Sequence, residues 1–135
     1  MIDSGHFMVL EDHAVFRPTG QVSLTQAAQL VASAINLCRE RGIPKLLVVT
    51  TALTGFEAPS LATRYFVIHE WLRAAGGAIC IALVAKPEML DPENFSVIVA
   101  RNIGLKYNIF TSEPEAESWL QSVKRSQAPG TTREA

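Results

Sequence analysis

Two short apolar runs, HFMVL (His6 to Leu10) and HAVFRP (His13 to Pro18), flank the polar pair Glu11-Asp12. That arrangement predicts an antiparallel hairpin at the start of the fold, broken by Pro18-Thr19-Gly20. From Ser23 the period lengthens. Leu24, Ala27, Ala28, Val31, Ala34, Ile35 and Cys38 recur at helical spacing and form one apolar stripe. Ser23 and Gln26 stand at capping-box spacing, which satisfies free amides of the first turn. Arg39 and Arg41 suit the negative end of the helix dipole, and Gly42 offers a left-handed stop.

Polarity then disappears over KLLVV (Lys45 to Val49) and again over AICIALVA (Ala78 to Ala85), as expected of central strands covered on both faces. Between them a second helix is predicted from Ser60 to Ala75, closed by Gly76-Gly77. At about 100° per residue, Leu61, Tyr65, Ile68 and Leu72 share one face and are expected to pack on the sheet. Phe66 and Val67 then point away from it, with Trp71 at the margin. Asp91-Pro92 signals a third helix, running to about Asn102 and ending at Gly104. KYNIF (Lys106 to Phe110) is a shorter strand. Ser112 and Glu115 open a last helix, whose buried face is Ala116, Trp119, Leu120 and Val123. The stretch SQAPGTTREA, 126–135, is polar and aperiodic and is expected to be a disordered tail.

Alternation after a hairpin implies an α/β fold. The sheet is expected to be mixed and mostly parallel, with four or five strands, about four helices and one antiparallel edge. No repeat or linker divides it, so residues 1–125 are expected to form a single domain.

Composition narrows the functional classes. A chain of 135 residues, 48% hydrophobic and 19% charged, can bury one core and is not disordered as a whole. A net charge of −1 lacks the basic footprint of a nucleic-acid binder. No run approaches the roughly 18 apolar residues of a membrane span, and Met1 to His6 lacks a leader pattern. A cytoplasmic protein is expected. Cys38 and Cys80 lie in no CxxC pattern, and no His stands at ligand spacing from them. They read as reduced, buried apolar residues, with no metal site.

Catalytic chemistry has no visible owner. GxGxxG, GxxxxGK and GxSxG are all absent, so neither a nucleotide cradle nor a serine elbow is present. His6, His13 and His69 form no ligand spacing, and His69 reads as a helix-surface histidine beside Glu70. No carboxylate pair suggests acid–base work, and neither an enzyme nor a cofactor is expected. What remains is TTALTGFEAPSLATRYFVIHEW, Thr50 to Trp71, which leaves an apolar strand and enters a helix. Ligands of open α/β sheets bind beyond the carboxyl ends of the strands. Thr50, Thr51 and Thr54 place hydroxyls there, Gly55 gives freedom, and Ser60 begins the helix. The helix dipole would favour an anion or phosphate on Ser60. An ordinary N-cap, stabilising by about 1 kcal/mol, needs the same residue type.

The succession KLLVVTTALTGF, the helix after it, LVAKPEMLDPENFSVIVARNIGL and the closing IFTSEPEAESWL resembles the SpoIIAA-like family of the STAS superfamily, small domains related to bacterial anti-sigma-factor antagonists. The resemblance covers roughly Val9 to Leu120. It implies a sheet of four or five strands with about four helices, regulation by protein–protein contact, and some likeness to the CRAL-TRIO lipid-transfer fold. Family antagonists carry an Asp-Ser pair at the start of the helix after the central strand and are switched by phosphorylation of that serine. Here GFEAPSL places Glu57-Ala58 near that point, so the switch is not carried onto Ser60, which is expected to act as a cap.

The leading expectation is therefore a non-enzymatic STAS-like module that binds a protein partner. Its contact residues are expected among Thr54, Gly55, Phe56, Ser60, Tyr65, Phe66 and Val67, and Phe66 with Val67 suggests a homodimer. The alternative is a carrier of a small apolar, lipid-like ligand, with its pocket between the second and third helices near Tyr65, Phe95 and Val99. An enzyme would need a ligand or partner to supply groups the sequence lacks.

Overall fold

The computed structural model describes residues 6–90 and 92–123. The cap expected from Asp91, the boundary at 125 and the tail at 126–135 lie outside the described residues. The hairpin forms as β1 (Phe7–Val9) antiparallel to β2 (Ala14–Phe16), and a two-residue strand, β3 (Gly20–Gln21), follows it. Helix α1 (Leu24–Arg41) starts at a full capping box, Ser23 with Gln26, and stops at Gly42 with φ 70°. Then come β4 (Lys45–Val49), β5 (Leu53–Thr54), α2 (Leu61–Ala75), β6 (Cys80–Val84), α3 (Phe95–Ile103), β7 (Tyr107–Phe110) and α4 (Glu113–Ser122).

The main sheet has five strands in the order β1-β2-β4-β6-β7. Only β1 is antiparallel to its neighbour, and the apolar runs at β4 and β6 take interior places, as their composition requires. After the hairpin each new strand adds on the same side of the last, and the order never reverses. Crossovers of one hand then lay the intervening helices on a single face. Accordingly α1, α2 and α3 cover Ala14, Phe16, Leu46, Val48, Ile81 and Leu83. The alternate residues Val15, Leu47, Val49, Cys80, Ala82 and Val84 face the other way, where Ala116 and Leu120 of α4 cover them. Ser112 caps α4 by accepting from the Glu115 amide. The Arg17 guanidinium pairs with the Glu113 carboxylate, and Lys45 Nζ donates to Leu120 O at 2.6 Å.

Three details differ from the sequence reading. A small parallel pair, β3 with β5, was not expected, because two residues carry no readable period. The third helix begins at Phe95: Glu93 and Asn94 adopt φ 53° and 57°, which interrupts the helical path behind Pro92. Helix α2 is rotated from the expected face. Arg64, Ile68, Trp71, Ala74 and Ala75 are buried, whereas Leu61 and Tyr65 are exposed and Leu72 is half-buried. Trp71 is thus a core residue and not the margin of a surface patch. Val67, expected to point away, is half-buried and packs against the core. The helix is apolar on almost every side, so its period was ambiguous, and the charge of Arg64 concealed the buried stripe at 64, 68, 71 and 75.

Cys38 and Cys80 are both free and buried. Burial pushes their thiols up to about 12 and about 11, which leaves them protonated and unreactive.

Candidate functional site

The segment between β4 and α2 is held by its own polar groups. The Thr50 amide and hydroxyl both donate to Val84 O, each at 2.9 Å, so this hydroxyl serves the scaffold. The Val22 amide donates to Thr54 O at 2.8 Å and extends the β3–β5 pairing. Gly55 follows with φ 103°, and a Cβ there would lie 2.5 Å from Val22 O. Only glycine lets the chain pass. At the head of α2, Ser60 Oγ accepts from the Thr63 amide at 3.2 Å and donates to Thr63 Oγ1 at 3.1 Å. Both functions of the hydroxyl are engaged in a cap. Ser60→Ala is expected to cost about 1 kcal/mol in denaturant melts while leaving the surface around it intact. A loss several times larger would show that Ser60 does more than cap the helix.

Beneath this segment, between α1, α2 and the carboxyl ends of β4 and β6, lies a cavity of about 110 Å³. Ala28, Val31, Leu53, Phe56, Val67 and Trp71 provide much of its apolar wall, with Lys86 beside them. Trp71 is fixed by its Nε1–H, which donates to Ala28 O at 3.2 Å. Arg64 is buried, and its guanidinium ties two loops together, donating from Nε to Pro59 O at 3.0 Å and from Nη1 to Met89 O at 3.1 Å. Lys86 Nζ donates to Leu53 O at a long 3.4 Å.

The expected contact residues divide between this cavity and the surface. Phe56 and Val67 line the cavity, while Thr54, Gly55, Ser60, Tyr65 and Phe66 are exposed. Leu61, Tyr65 and Phe66 are 47%, 44% and 68% exposed, an unusual grouping of large apolar side chains on one helical turn and a half. The Tyr65 ring lies edge-on to Phe66 at 5.6 Å and 4.4 Å from the His69 imidazole. His69 is half-buried under Tyr65 instead of standing on the surface, and its Nε2 has no hydrogen-bond partner among the described residues. On the neighbouring α3, Ile98 is exposed as well.

The pocket expected between the second and third helices is displaced. None of Tyr65, Phe95 and Val99 lines the cavity; Val99 is buried in the core and Phe95 packs against it. Space opens on the α1 side instead, where Ala27 and Ala28 present only methyl groups. Sequence reasoning also missed Arg64, Trp71, Lys86 and Met89. The Ala-Ala pair within the α1 stripe was the one available signal.

Among the described residues, no group of three His, Cys, Asp or Glu could hold a metal ion, and no helix is long and apolar enough to cross a membrane. No protein-family model matches the chain, and no curated protein matches it in sequence. Solved structures match it in fold. An anti-sigma factor antagonist from Mycobacterium paratuberculosis superposes with a TM-score of 0.53 at 13% identity, over 86% of this chain and 92% of that one. The anti-sigma factor antagonist SpoIIAA in its unphosphorylated form gives 0.48 at 16% identity, over 87% of this chain and 99% of that one. The fold is shared with the Mycobacterium antagonist, and it has the five-stranded, mostly parallel sheet and four helices which the resemblance implied.

Proposed function

We propose that this chain is a non-enzymatic regulatory module that works by protein–protein contact, through the Thr54–Ser60 turn and the outer flank of α2. The observation that carries this reading is the exposed group Leu61, Tyr65 and Phe66 at the head of α2. Scattered apolar residues are ordinary on a surface, but adjacent large ones on one helix mark a surface that another body covers. The Mycobacterium neighbour is an anti-sigma factor antagonist, and the reading agrees with it by analogy of fold alone. A second copy of the chain is the simplest partner, because twofold pairing of one patch needs no other protein.

Phe66→Glu tests the surface. Phe66 is 68% exposed, so the variant is expected to fold with little change in stability. Twofold pairing would bring two like charges into an apolar contact, and light scattering is expected to show a dimeric wild type and a monomeric variant. A wild type that is monomeric at tens of micromolar would overturn the twofold reading.

The lipid-carrier alternative meets a limit of room. A cavity of about 110 Å³ is smaller than the roughly 150 Å³ at which an engineered cavity holds one benzene molecule. It has space for a handful of carbon atoms and not for an acyl chain of ordinary length.

A further inference from the structure

We propose that the cavity between α1, α2 and the sheet is a binding site for a small monoanion with a compact apolar body, a short branched carboxylate, whose charged end pairs with Lys86. Three features converge on that class. The volume, about 110 Å³, admits only the branched hydrocarbon end of such a molecule, and the carboxylate lies on the open side by Lys86. The wall is formed mainly by Ala, Val, Leu, Phe and Trp side chains, and no Asp or Glu lines it among the described residues. Such a wall rewards a compact hydrocarbon and offers a cation no counter-charge.

The third feature is Lys86. It stands two residues beyond the end of β6, is half-buried, and lines the cavity. Its ammonium has three donors, and its one hydrogen bond among the described residues is the long 3.4 Å contact with Leu53 O. Two donors are therefore available to a carboxylate held with its apolar end toward Trp71. A charge-assisted pair in a largely apolar surrounding is stronger than the neutral contact it would join. One wall is α2 itself, through Val67, Ile68 and Trp71, while the outer flank of the same helix carries Tyr65 and Phe66. An occupant would thus lie directly behind the exposed patch. The inference does not rest on that patch being an interface.

Titration with isovalerate, and with isovaleramide as its neutral counterpart of the same shape, tests the proposal. The two indole N–H resonances report separately, because Trp71 lines the cavity whereas Trp119 packs on Phe110 across the sheet. Isovalerate is expected to shift the Trp71 resonance saturably and leave that of Trp119 in place. Isovaleramide on the wild type, and isovalerate on Lys86→Gln, are each expected to bind about tenfold more weakly. Equal affinity for acid and amide overturns the proposal, as does an unchanged affinity in Lys86→Gln. So does the absence of a saturable Trp71 shift, or an equal response from both tryptophans. The amide comparison needs no variant, so it decides the matter even if Lys86→Gln folds poorly.

Discussion

Trp71→Ala is expected to destabilise the protein by about 3–5 kcal/mol, measured as a lowered midpoint and extrapolated free energy in urea melts. Trp71 is 5% exposed, joins the larger core, meets the Tyr107 ring at 5.9 Å and donates its indole proton to Ala28 O. Its removal enlarges an existing cavity into a space the helices on either side cannot close. It also removes the second donor to the Ala28 carbonyl, which then keeps only its bond within the α1 ladder. Domains of this size retain only about 5–15 kcal/mol in total, so the variant would sit near the threshold of folding. Trp71→Phe keeps most of the volume and loses the hydrogen bond, and it should fall well short of the alanine variant. A loss below about 1 kcal/mol in Trp71→Ala would show that α2 does not depend on this anchor.

Gly55→Ala is expected to cost about 2–4 kcal/mol, since strain and collision act together. The φ of 103° is unfavourable for any residue with a Cβ, and that Cβ would meet Val22 O at 2.5 Å and Gln21 Cγ at 3.0 Å. Backbone cannot give way as a side chain can. Here the neighbouring Val22 amide is already committed to Thr54 O, so relief requires β3 and β5 to part. Gly77→Ala separates the two effects, because Gly77 has φ 77° with nothing within 4 Å of a built Cβ. It should show the smaller loss of strain alone. Equal losses at both positions would mean that the approach of Val22 O imposes no constraint.

The framework of the fold was readable because its signals are local and repeated. Ser23 with Gln26, Gly42, Ser60, Ser112 and Gly104 punctuate the chain at helix ends, and the runs at 46–49 and 80–84 are apolar at successive positions, as strands covered on both faces must be. The face of α2 was not readable, for a reason of composition. With Leu61, Tyr65, Phe66, Val67, Ile68, Trp71 and Leu72 on one helix, several stripes compete. The winning stripe contains an arginine, whose burial is supported by carbonyls from Pro59 and Met89, the latter twenty-five residues away. The cavity escaped notice because it is a difference between distant volumes: two alanines of α1, a tryptophan of α2 and a lysine after β6. No window of sequence contains them together. The turn was singled out by its place after the central strand, while the division of its residues between cavity and surface depended on the rotation of α2.

The uneven cover of the sheet has a consequence for synthesis. Three helices shield one face, and the other depends on α4, which leaves the ribosome after every strand it protects. While Glu113–Ser122 remains in the exit tunnel, Val15, Leu47, Val49, Ala82 and Val84 form a continuous apolar surface on a nascent chain that can already pair its strands. That interval is when a chaperone would find its binding surface, and when neighbouring nascent chains on one message could adhere to each other.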